Sequence, residues 1–178
     1  GTAQNFTIAV NPTPTVVLPA DQVLCNGAVT NPANFSGPVS GTSYSWSNSA
    51  SIGLATSGTG DIAAFTATNA TFAPVVDSIT IVPSANGCDG IAGIFTITVN
   101  PTPSAISGAA DVCVGSTTTL NNLVPGGDWT ISNPGVGTIV INTGILSGIS
   151  SGNATVTYTL PSGCSADIPV TVNALPQV

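Results

Sequence analysis

Any chemistry this chain performs must come from a short set of side chains. Its carboxylates are seven Asp (Asp21, Asp61, Asp77, Asp89, Asp111, Asp128 and Asp167) and its thiols are Cys25, Cys88, Cys113 and Cys164. There is no Lys, Arg, His, Glu or Met in the 178 residues. Without His or Lys the chain has no Ser-His-Asp relay, no Cys-His pair, no imidazole metal ligand, no Schiff base and no phosphate-loop lysine. A nucleophile would find only Asp as its base, so the chain is read as a non-enzyme that uses no cofactor. The Asp residues show neither the run of a calcium loop nor a legible glycosidase dyad, so no metal site is assigned.

A formal charge of −7 with no cation removes the attraction that carries nucleic-acid binding and repels anionic lipid surfaces. No nucleic-acid partner is expected. No apolar run approaches the roughly 18 residues of a membrane span, so membrane insertion is not expected either. Polarity is supplied instead by 25 Thr, 19 Ser and 15 Asn, while 42% hydrophobic residues leave ample core material. No cationic or apolar leader precedes Gly1, and any signal peptide is expected to be removed or to lie upstream.

The elements that must position these residues are strands. Phe6-Thr7-Ile8-Ala9-Val10-Asn11-Pro12-Thr13-Pro14 recurs as Phe95-Thr96-Ile97-Thr98-Val99-Asn100-Pro101-Thr102-Pro103, 89 residues later, with a weaker copy at Val170-Thr171-Val172-Asn173-Ala174-Leu175-Pro176. Each copy is an alternating strand running into a proline-bearing linker, where a central strand cannot continue. Period-2 alternation also marks Tyr44-Ser45-Trp46, Ile79-Thr80-Ile81 and Val156-Thr157-Tyr158-Thr159-Leu160, and turn clusters such as Asn86-Gly87 and Pro125-Gly126-Gly127-Asp128 lie between the strands. No long 3.6 period is present. The predicted fold is all-β, two tandem Ig-like β-sandwich domains over residues 12–102 and 103–178, preceded by residues 1–11 as the last strand of an earlier repeat or a donor strand plus linker.

Each predicted domain holds two Cys and one Trp. The cysteines are widely spaced with no Cys-x-x-Cys pair, which disfavours zinc and favours two disulfides in an oxidising compartment. Pairing within units joins Cys25 to Cys88 and Cys113 to Cys164, and each bridge would contribute ~4 kcal/mol in the chain-entropy model. With Cys113 bonded to Cys164, the neighbouring Asp111 and Asp167 would approach each other as a weak Ca²⁺ candidate. Trp46 and Trp129 are expected in the cores. Phe6, Ile8 and Val10 give the N-terminal segment an apolar face that a lone strand cannot bury, so it is predicted to pair, by β-augmentation, with a sheet lacking its last strand.

The segment running through Val23-Leu24-Cys25-Asn26-Gly27, Tyr44-Ser45-Trp46-Ser47, Phe65-Thr66-Ala67-Thr68-Asn69, Asn86-Gly87-Cys88 and Phe95 to Pro101 resembles the PKD-like repeats of large secreted adhesins of gliding bacteria. The second unit resembles bacterial Ig-like domains of group 2, in Asp111-Val112-Cys113-Val114-Gly115, Gly127-Asp128-Trp129-Thr130, Ala154-Thr155-Val156-Thr157-Tyr158 and Gly163-Cys164-Ser165. The resemblance implies a non-catalytic structural or adhesive module of a cell-surface adhesin or extracellular fibre, assembled end to end with neighbouring repeats or identical subunits. It also implies Ser78, within Asp77-Ser78-Ile79, as a candidate O-glycosylation site. The sequons at Asn5, Asn34, Asn69 and Asn153 are discounted in a bacterial setting. The alternative function is a carbohydrate-binding module with surface glycans as partners, which an exposed aromatic row would support.

Overall fold

The computed structural model describes residues 1–176. Among these no residue is helical, and no helix is long and apolar enough to cross a membrane. The chain divides into two compact units, Gly1–Val99 and Asn100–Val178.

Unit 1 is built on a six-stranded sheet. Its strands are β1 (Gln22–Cys25), β2 (Ser43–Asn48), β3 (Ser57–Thr59), β4 (Val75–Ala85), β5 (Cys88–Asp89) and β6 (Gly93–Asn100). They are ordered β1-β6-β4-β2-β3, and β5 pairs with β4. The central pair shows why these sequences form strands. On β4 the residues Asp77, Ile79, Ile81 and Ala85 point inward, and on β6 Phe95, Ile97 and Val99 do so, with Ile79 opposite Phe95 and Val75 opposite Val99. Thr and Ser occupy much of the other face, as the pleat requires of a sheet buried on one side.

The β4–β5 hairpin closes through Asn86 and Gly87, both at positive φ (53° and 78°), the two-residue turn whose twist matches antiparallel strands. Opposite the sheet lies a layer of irregular segments pinned by the bridges Val17–Ser36, Val29–Thr66 and Ala33–Ile62. Phe35, Ile52, Ile62 and Ala67 from this layer complete the core against Ile79, Ile81, Phe95 and Ile97.

Unit 2 is a two-sheet sandwich of β7 (Asp111–Cys113), β8 (Thr117–Thr119), β9 (Asp128–Ile131), β10 (Gly137–Ile139), β11 (Ile145–Gly148), β12 (Gly152–Thr159) and β13 (Ser165–Asn173). One sheet is ordered β10-β11-β8 and the other β7-β13-β12-β9, in which β7 runs parallel to β13 and the remaining pairs are antiparallel. Leu120, Trp129, Leu146, Val156, Tyr158, Val170 and Val172 fill the space between them.

Candidate functional site

The N-terminal segment has a strand's sequence and no strand's environment. In β6, Phe95, Ile97 and Val99 are 2%, 1% and 0% exposed, whereas their counterparts Phe6, Ile8 and Val10 are 85%, 74% and 89% exposed. Residues 1–10 form no strand and no bridge, and the nearest tether is Asn11 Nδ2 donating to the Asn86 carbonyl at 3.3 Å. The slot between β1 and β4 that this sequence fits is occupied by β6 itself.

The cysteines depart from the expected pairing. Cys25 and Cys164 are each disulfide-bonded, while Cys88 and Cys113 are free thiols, so neither Cys25–Cys88 nor Cys113–Cys164 forms. Strand geometry forbids both. Cys25 ends β1 beside Asn26, whose Oδ1 accepts from Asn69 N, and the Asn69 side chain in turn donates to Val99 O. Val99 lies opposite Val75 at one end of β4, but Cys88 lies opposite Ala85 at the other. Ten residues of strand separate them by about 30 Å, against the ~7 Å Cα limit of a disulfide. In unit 2, Cys113 is opposite Asn173 at the end of β13, and Cys164 immediately precedes its start, again about 30 Å away.

The same register separates the calcium candidates. Asp111 faces Thr171 and Asp167 lies four residues earlier on β13, about 13 Å along the strand. Among the described residues no group of three or more His, Cys, Asp or Glu side chains is placed to hold a metal.

Three of the carboxylates instead serve the backbone. Asp21 Oδ1 accepts from Thr96 N at 2.7 Å and Asp61 Oδ1 from Phe35 N at 2.7 Å. Asp77 is fully buried, and its Oδ1 accepts from Ser49 N (2.8 Å), Ala50 N (2.8 Å) and Ser49 Oγ (3.2 Å), while Oδ2 has no partner. The alternation Asp77-Ile79-Ile81 is a signal for this inward position that a composition-level reading passes over. Ser78 is half-buried on the opposite face of β4, opposite Thr96 of β6 and just beyond the end of β2, with its N–H donating to Ser49 Oγ.

Both tryptophans belong to cores. Trp46 packs half-buried in unit 1 across from Gly58, where an added Cβ would stand 2.3 Å from the indole. Trp129 is 5% exposed and pairs across strands with Tyr158, their rings 4.6 Å apart. The Tyr158 hydroxyl donates to Val124 O and accepts from Gly127 N, both at 2.8 Å, which fastens the β8–β9 connection to the sheet. Beside this pair, where the β8–β9 connection meets the β10–β11 turn, a cavity of about 450 Å³ opens. Trp129 and Tyr158 line it together with the exposed Asn121, Asp128, Asn142 and Thr143. The Asn and Thr residues carried no motif in the sequence; only the meeting of two loops gathers them.

No family model matches this chain, and no curated protein does. Among solved structures it is similar to the C-terminal 282-residue fragment of intimin, solved in complex with the intimin-binding domain of the translocated intimin receptor. That likeness is at 13% identity and a TM-score of 0.55, over 91% of this chain and 65% of the fragment. Immunoglobulin domains 1–4 of Sidekick-1 match at 13% identity and a TM-score of 0.45, over 92% of this chain and 49% of theirs. The insect immune protein hemolin matches at 16% identity and a TM-score of 0.41, over 96% and 49%. The chain thus spans less than two thirds of each of these structures. At such identities the intimin likeness speaks to fold alone, and together with the strand order it establishes an all-β chain of Ig-like β-sandwich units.

Proposed function

We propose that this chain is a non-catalytic repeat module of a secreted bacterial surface adhesin or extracellular fibre, in which successive Ig-like units are joined end to end. The observation that carries the reading is the exposed Phe6–Val10 segment, which repeats the alternation of the buried β6 without a sheet to enter. Its apolar face has a defined destination, namely a preceding sandwich of the unit 1 type that lacks its own last strand, in the same polypeptide or a neighbouring subunit. Disulfide-bonded Cys25 and Cys164 support an oxidising, extracellular setting. The absence of His, Lys, Arg and Glu supports a role without turnover. Ser78 stands in this reading as a glycan acceptor.

Placing residues 12–89 directly ahead of Gly1 recreates the order of unit 1 with residues 1–10 as its closing strand. The expected result is a third cooperatively folded unit in which the amides of Phe6, Ile8 and Val10 become protected from hydrogen exchange. Amides that exchange as fast as in the 178-residue chain would overturn the array reading. Antibody against unit 2 is expected to label unpermeabilised source cells; labelling only after permeabilisation would overturn the surface setting.

A further inference from the structure

We propose that the cavity between the β8–β9 connection and the β10–β11 turn of unit 2 is a binding site for a neutral saccharide. At about 450 Å³ it lies within the roughly 300–1,000 Å³ of small-molecule sites. Its floor is formed by Trp129 and Tyr158, which are only 5% and 4% exposed, so most of the accessible lining is polar. Around it Asn121, Asp128, Asn142 and Thr143 are exposed, and among the described residues nothing hydrogen-bonds their side chains. Two amides, a carboxylate and a hydroxyl thus offer donors and acceptors together, the mixture that an array of sugar hydroxyls can satisfy.

Charge narrows the ligand class. No Lys, Arg or His exists to pair with a carboxylate, sulfate or phosphate, and Asp128 repels one. Uronic acids and sulfated or phosphorylated ligands are therefore disfavoured, and a neutral sugar is not.

The cavity is also braced before any ligand arrives. The Tyr158 hydroxyl ties Val124 and Gly127, and Asn122 donates to Ser104 O at 2.6 Å while accepting from Val124 N at 3.0 Å. Gly127 lies so close to the Tyr158 ring that a Cβ would stand 2.6 Å from it, which seats the loop on the aromatic floor. Such pre-ordering lowers the entropy lost on binding. This site stands whether or not the units form an array.

Trp46→Phe leaves Trp129 as the sole tryptophan and hence a reporter inside the site. Its emission is followed during titration with maltose, cellobiose, mannobiose and diacetylchitobiose, and with digalacturonic acid as the charged control. The expected result is a saturable change with at least one neutral disaccharide and none with the acid. Asn142→Ala and Thr143→Ala should each weaken that binding ~5–10-fold at an unchanged unfolding midpoint. Should Trp46→Phe fail to fold, amide chemical shifts of residues 120–128 and 140–144 in the unaltered chain report the same titration. No saturable change with any neutral sugar up to ~20 mM, binding of the acid alone, or indifference to both substitutions would each overturn the proposal.

Discussion

In a chain with no cation, carboxylates cannot form ion pairs with side chains, and at Asp21, Asp61 and Asp77 backbone N–H groups take that place. Asp77 is the extreme case, because it holds the turn after β2 from inside the core of unit 1. Asp77→Ala is expected to cost about 2–4 kcal/mol, since it strands two N–H groups that have exchanged water for this oxygen. Asp77→Asn retains an acceptor and should cost clearly less. Urea unfolding followed by Trp46 emission measures both, and equal losses would show that the hydrogen bonds are not the cause. At the thiols, alkylation of the native protein under non-reducing conditions is expected to add two labels, to exposed Cys113 first and to half-buried Cys88 more slowly. Peptide mass mapping that finds Cys25 or Cys164 labelled would contradict it.

Strands decide what residues can reach. Alternation at Phe95–Val99 and Val156–Leu160 was enough to name β6 and β12, because a strand buried on one face leaves a period of two in the sequence. The cysteine pairing was not legible in the same way. One Cys near the start and one near the end of each unit looks like a pair until the direction and register of the strands place them at opposite ends of the sheet. Direction is set by the whole sheet and leaves no mark on the few residues around a cysteine. The N-terminal segment is the reverse case, a strand sequence that pairs with no strand among the described residues. Deleting residues 1–10 is expected to change the stability of unit 1 by less than about 0.5 kcal/mol, as measured by chemical denaturation, because nothing of unit 1's core rests on them.

Each unit encloses its own core, and the two sets of buried side chains share no member. Leu146→Ala is therefore expected to destabilise unit 2 by about 2–5 kcal/mol through the cavity it leaves. With reductant present, the Trp129 transition should shift while the Trp46 transition stays; a joint shift would contradict independent cores. Composition and periodicity alone determined that the molecule is all-β, that its tryptophans face inward and that it contains no His, Lys, Arg or Glu. These are properties of residue type and nearest neighbours, which a linear text carries. Which cysteines bond, how far apart Asp111 and Asp167 lie, and that Asn121, Asp128, Asn142 and Thr143 ring one cavity were decided by tertiary structure alone. Each depends on strand direction or on loops distant in sequence meeting at one place, and such long-range distances are set only when the sheets assemble.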